Sequence, residues 1–186
     1  MGINLSNFLA SKSQDRKMNQ YQDLDHIDGL SISTVCANLY KTKRDDLVMF
    51  YFREGANFAA IYTTSKVTSA SINWNLRLRK HHIRALLVNT KNANTFTGTK
   101  GALGLKEIAN SLSKTLTIKS SQSPEGASDV VKITDLLFAS TGVIGEEFPY
   151  LKIKDRIPEL VKKLKVEQNK VNNMIFKIQE ELEENV

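Results

Sequence analysis

The stretch IRALLVNTKNANTFTG, residues 83–98, decides how the fold is read. Ile83 to Asn89 is a short apolar segment with the length and composition of a buried strand. It runs into a polar loop: Val88 to Gly98 holds Asn89, Asn92 and Asn94 together with Thr90, Thr95 and Thr97. Beyond the loop, Leu105, Ile108, Ala109, Leu112 and Leu116 recur at the spacing of one helical face, so Leu103–Leu116 reads as an amphipathic helix. Strand, polar loop and helix in succession are the unit of an α/β fold.

The pattern extends in both directions. Downstream, Ser120–Ser128 is a loop with Pro124 and Gly126, and Ile133–Ala139 is a second strand ending in Ser140-Thr141-Gly142-Val143-Ile144-Gly145. Upstream, Leu30–Leu39 reads as a strand and Lys41–Asp46 as a charged turn. Leu47–Phe52 is a continuous apolar run, as expected of a strand buried on both faces. Arg53-Glu54-Gly55 reads as a turn and Phe58–Thr64 as a further strand, giving an antiparallel meander. Ser71–Lys80 is read as helical, with Trp74 and Leu78 on one face.

The tail has its own period. Ile157, Val161, Leu164, Gln168, Val171, Ile175, Ile178 and Leu182 follow steps of four and three, and Pro158 suits a helical first turn. A helix to about Glu184 is expected, weakest at Gln168-Asn169. It forms either a coiled-coil seam or a helix packed on its own domain. The short run of heptads favours the second.

Composition bounds the rest. A chain of 186 residues with 41% hydrophobic and 25% charged residues can bury about 70% of its surface without a staple. Only 3 Pro and 9 Gly exclude collagen-like and disordered classes. Cys36, the single cysteine, excludes a disulfide scaffold and fits a reducing, cytoplasmic setting. The first residues lack the apolar run of a signal peptide, and no stretch approaches the ~18 apolar residues of a membrane helix. Gly2 and Ser6 match the myristoylation pattern, but one acyl chain holds a membrane only weakly. The net charge of +6 invites a nucleic-acid reading, centred on Arg77–Arg84 (RLRKHHIR). No recognition motif accompanies that run, so it reads as a solvated segment, without nucleic acid as partner. His81 and His82 are adjacent, point to different faces and lack partners at ligand spacing, so no metal site is expected.

Two polar loops at strand ends remain for chemistry. Asn and Thr in the first also build turns through local backbone bonds, and on spacing alone that structural role prevails. In the second, ASTGVIGE (Ala139–Glu146), small residues leave backbone N–H groups exposed. With the Thr141 hydroxyl, they suit the stabilisation of an anionic oxygen in acyl transfer. Gly142 would let a substrate approach the main chain. No nucleophile elbow or P-loop is present, and the Ser, His and Asp spacings assign no triad.

Together the loops resemble one family. Arg84–Asn94 (RALLVNTKNAN) is similar to R-A-I-V-V-N-S-G-N-A-N, and Phe138–Glu146 holds A-S-T-G-V-I-G-E, of the ornithine acetyltransferase family, also called bifunctional glutamate N-acetyltransferase. His26–Leu30, Arg44–Val48 and Ala59–Ser65 resemble further family segments, and the resemblance spans about Leu24 to Pro158. It implies a layered α/β sandwich with, here, a helical C-terminal tail. The domain plan is a polar segment 1–23, an acetyltransferase α-chain-like domain 24–158 and a diverging tail 159–186.

The resemblance also implies an activity in arginine biosynthesis. A threonine exposed by self-cleavage into α and β chains takes acetyl from N-acetylornithine and passes it to glutamate. Some members also use acetyl-CoA as substrate, and no other cofactor is implied. The oxyanion pair falls on Thr141 and Gly142.

The chain departs from the family after Asn169. The A-I-M-T-T-D-T, G-I-A-K-G-S-G-M-I and N-M-A-T-M-L segments, the last with the nucleophile, have no counterpart in Val171–Val186. The expectation is an α-chain-like part that is inactive alone. It would arise by truncation or frameshift, or need a β-type partner chain that supplies the threonine. A diverged, non-catalytic binding protein associating through its helical tail is the alternative. Lys91 stands where the family has Gly, and Phe96 where it has a small residue, which alters the asparagine loop.

Overall fold

The apolar run Leu47–Phe52 forms the centre of β2 (Leu47–Asn57), where Leu47, Val48, Met49 and Tyr51 are all buried. Around it, a computed structural model describes residues 27–121 and 130–164. The segment 1–23, most of the expected 120–128 loop and the tail beyond Leu164 lie outside the described residues. β1 (Leu30–Val35), β2, β3 (His82–Asn89) and β4 (Leu136–Ser140) form one sheet in sequence order. β1, β2 and β3 pair antiparallel as a meander whose third strand is β3 and not the expected Phe58–Thr64, and β4 lies parallel to β3. The crossover between the last two runs through α2 (Gly98–Ser121), as a parallel pair requires.

One sheet face is covered by α2 and α3 (Tyr150–Lys162). Val35, Leu47, Met49, Leu87 and Phe138 pack there against Leu105, Ile108, Leu112 and Leu116 of α2 and Ile153, Ile157 and Leu160 of α3. On the opposite face, Ile32 and Val48 are buried with Leu30, Phe50 and Val88 partly so. This is the expected layered α/β arrangement.

Several boundaries differ from the sequence reading, each for a local reason. β1 stops at Val35 rather than Leu39 because the Asp46 carboxylate accepts the Ala37 and Leu39 N–H groups, at 2.6 and 2.8 Å, and bends the chain. Arg53-Glu54-Gly55 is not a turn. It is a bulge inside β2, where the register passes from Tyr51 opposite Ala85 to Ala56 opposite Ile83. Gly55, at φ +81, leaves the space that the His82 ring occupies. Phe58–Thr64 is not a strand: after Phe58 donates to His81 O at 3.0 Å, no edge among the described residues receives it, and Ile61 is fully exposed.

The helix expected over Ser71–Lys80 is α1 (Ala70–Asn75), capped by Ser69, whose hydroxyl accepts from Ile72 N–H. Its last residues clamp the open edge of β4. Trp74 Nε1 donates to Leu136 O at 3.0 Å, and Asn75 both donates to Phe138 O at 2.8 Å and accepts from Phe138 N at 3.1 Å. A sheet edge closed by side chains is protected from stray pairing. α2 extends beyond Leu103–Leu116 at both ends. Ile133–Asp135 is a 3-10 turn, not strand, held by the Asp135 carboxylate on Lys132 N–H. α3 begins eight residues before Pro158, which lies inside the helix rather than in its first turn. Ile157, Val161 and Leu164 of the expected seam are buried against the chain's own core.

Candidate active site

β3 and β4 end side by side, with Asn89 paired to Ser140. Both polar loops therefore leave the sheet at the same edge, where α/β folds place sites. The loops stay zipped together. Thr141 N–H donates to Asn89 O at 3.0 Å, Val143 N–H to Lys91 O at 2.9 Å, Ala93 N–H to Val143 O at 3.0 Å and Gly145 N–H to Thr95 O at 2.9 Å.

The asparagines are the internal frame of this junction. Asn89, Asn92 and Asn94 are all buried. Asn89 Oδ1 accepts from Ser140 Oγ at 2.7 Å, and its Nδ2 donates to Asn92 O at 2.8 Å. Since the Ser140 proton points to Asn89, the 2.7 Å contact between Ser71 and Ser140 hydroxyls has Ser71 as donor. A directed chain thus runs from α1 through the end of β4 into the asparagine loop. Asn92 Nδ2 donates to the carbonyls of Glu146 and Glu147, and Asn92 Oδ1 accepts Asn94 N–H at 2.8 Å. Asn94 Oδ1 accepts the Thr97 hydroxyl at 2.7 Å. The structural reading of these residues holds: their polar atoms bind the protein itself.

Against that saturated frame, Thr141 and Gly142 differ. Thr141 N–H is taken by Asn89, but the Thr141 hydroxyl and the Gly142 N–H have no hydrogen-bond partner among the described residues. Gly142 has φ +126, and a Cβ there would collide with the Lys91 carbonyl and Asn92 N. The peptide that presents its N–H therefore requires glycine. Two neighbouring donors without internal partners, on a frame held by hydrogen bonds, suit the stabilisation of an oxyanion.

The surroundings carry charge of both signs. Lys91, at φ +74, places Nζ 3.7 Å from Glu146 Oε2 across the two loops. Beyond the loops, two clefts flank a ridge of Phe96, Thr97 and Leu103, with volumes of about 570 and 520 Å³. Lys66, Arg77 and Lys106 line the first, whereas Glu107, Glu146 and Glu147 line the second. Neither is lined by Thr141 or Gly142. The basic run 77–84 is not one face. Arg77 lines the first cleft, His81 packs on Phe58 at 5.6 Å, and Arg84 is buried with Nη2 donating to Tyr51 Oη at 3.1 Å.

Asp46 underlies the junction from the other side. Its carbonyl accepts Thr90 N–H at 3.0 Å, and its buried carboxylate has a pKa raised above the ordinary value, chiefly by burial. Among the described residues no group of three or more His, Cys, Asp or Glu is arranged to hold a metal, and no helix is long and apolar enough to cross a membrane. Sequence reasoning missed Ser71 and Asn75. The cap-like Ser69 ahead of an apolar helix was a legible signal for α1, but nothing in sequence joins α1 to β4.

The ArgJ family model matches residues 31–178. The chain is 34% identical over 145 residues to the arginine biosynthesis bifunctional protein ArgJ of Caulobacter vibrioides, covering 76% of this chain and 33% of that protein. It is 33% identical over 127 residues to the protein of the same name from Agrobacterium fabrum, covering 68% and 28%. The chain thus spans about a third of the length of the curated relatives it matches. The crystal structure of ArgJ from Bacillus halodurans superposes with a TM-score of 0.64 at 25% identity, covering 75% of this chain and 66% of that one. Ornithine acetyltransferase from Mycobacterium tuberculosis, solved with ornithine, shares the fold with a TM-score of 0.67 at 21% identity, covering 76% and 70%.

Proposed function

The chain belongs to the ArgJ family, and on that premise we propose that it forms the oxyanion-holding, α-chain-like part of a glutamate N-acetyltransferase. One observation carries the reading: among the described residues the Thr141 hydroxyl and Gly142 N–H lack partners, in a junction whose asparagines and serines are hydrogen-bonded. Within this reading, the threonine nucleophile is supplied by a β-type chain.

In the proposed reaction, that threonine's Oγ attacks the acetyl carbonyl of N-acetylornithine. The carbonyl oxygen becomes an oxyanion, and Thr141 Oγ–H and Gly142 N–H donate to it. The C–N bond breaks, ornithine leaves with a proton on its amine, and an acetyl-threonine ester remains. Glutamate's amine attacks the ester through the same oxyanion, regenerating the threonine. Acetyl-CoA is a second acetyl source within this reading, and the proposed setting is the cytoplasm. A non-catalytic binding protein would have no use for two donors held open beside a glycine that tolerates no side chain.

Co-expression with a β-type chain bearing the nucleophile tests this. A complex that transfers acetyl from N-acetylornithine to glutamate is expected. Absence of both complex and transfer overturns the proposal.

A further inference from the structure

The cleft between α1 and the start of α2 has a chemistry that transfer from N-acetylornithine to glutamate does not use. Its volume of about 570 Å³ lies within the range of small-molecule sites. Lys66, Arg77 and Lys106 all line it, and no Asp or Glu does. None of the three cations forms an ion pair among the described residues. Elsewhere exposed lysines do find carboxylates, as Lys154 finds Glu107 at 2.8 Å and Lys163 finds Glu159 at 2.7 Å. Three positive charges without an ion pair, lining one concave, partly apolar surface, focus a positive potential there, although Glu107 lies next to Lys106 in the chain. The neighbouring cleft, across the Phe96 ridge, carries three glutamates and one lysine, so the two differ in sign.

The wall is also built for a ligand body. Trp74 lines the cleft, yet its indole is locked from behind. Nε1 is bonded to Leu136 O, and the ring meets Phe138 edge-on with centroids 5.3 Å apart. A rigid aromatic surface loses little freedom when something packs on it. Leu105 continues the apolar floor. Arg77 brings a planar fork matched to phosphate oxygens.

We propose that this cleft binds a phosphorylated small molecule of nucleotide type, its phosphates held by Lys66, Arg77 and Lys106 and its planar body lying against Trp74. The proposal does not depend on acetyl transfer, and it is tested on the full chain alone. ADP is titrated by calorimetry, in parallel with fluorescence of Trp74, the only tryptophan in the chain. Saturable binding that weakens with added salt is expected, with a change in Trp74 emission. Binding should fall by about tenfold or more in Arg77→Gln/Lys106→Gln, since hydrogen bonds to charged groups are strong. It should be retained in Arg77→Lys/Lys106→Arg, and both variants are checked for folding by circular dichroism. Adenosine, lacking phosphate, and inorganic phosphate, lacking the planar body, should each bind more weakly than ADP. No ADP binding at millimolar concentration, or ADP affinity unchanged in the charge-removing variant, overturns the site. Equal affinity for inorganic phosphate and ADP overturns the role given to Trp74.

Discussion

At Lys91 the chain adopts φ +74, a left-handed conformation that costs an L residue about 1–2 kcal/mol. The strain is held because Lys91 O accepts from Val143 N–H and the Gly142 peptide packs against it. Lys91→Gly relieves the strain but loses about 0.5–1 kcal/mol to a more flexible unfolded chain. A net gain of about 0.5 kcal/mol in urea unfolding is expected, because the exposed Lys91–Glu146 pair contributes little. Asp46 gives a pH-dependent test. Burial raises its folded pKa above 3.8, while the Ala37 and Leu39 N–H groups pull it down. The folded chain thus takes up a proton more readily than the unfolded one. Its contribution to stability rises as pH falls through the raised value and levels off below the unfolded value. Unfolding free energies of the wild type and Asp46→Asn, measured from pH 7 down to 4, should diverge progressively in the wild type's favour. A difference independent of pH contradicts the assignment. At this scale the sequence was informative about identity and silent about role. STG marked Thr141 and Gly142, but nothing local shows that Asn89, Asn92 and Asn94 have their amides turned inward.

Among the elements, those with an uninterrupted apolar period were legible: β2, β3 and α2 all stand where their patterns put them. Misreadings arose where a distant side chain or edge intervenes. The Asp46 carboxylate ends β1, and among the described residues no edge receives the segment after Phe58. Pro158 suggested a helix start because proline suits a first turn, yet α3 tolerates it on an exposed side. Without the proline N–H, the carbonyl four residues earlier loses its helical donor. Pro158→Ala restores it and should raise stability by about 1–2 kcal/mol, net of the more flexible unfolded state, as read from the thermal midpoint. A lower midpoint would show that the ring makes packing contacts that matter more than the missing bond.

For the whole molecule, one core joins sheet, α2 and α3, with Leu112 fully buried at its centre. Leu112→Ala should cost about 2–5 kcal/mol in urea unfolding and loosen α2 and α3 together, since both pack on the same residues. That core sets the β3–β4 junction, and the junction holds the two donors. The parallel pairing that brings them together is a property of the assembled sheet, so spacing along the chain could not reveal it. The central claim is that Thr141 and Gly142 stabilise an acyl-transfer oxyanion. Its most direct test is steady-state acetyl transfer from N-acetylornithine to glutamate by the complex with a β-type chain, comparing wild type with Thr141→Val. That substitution removes the hydroxyl and keeps the backbone bond to Asn89. The account predicts kcat lower by about 10²–10³-fold with KM nearly unchanged. A Thr141→Val complex that turns over like the wild type would contradict it.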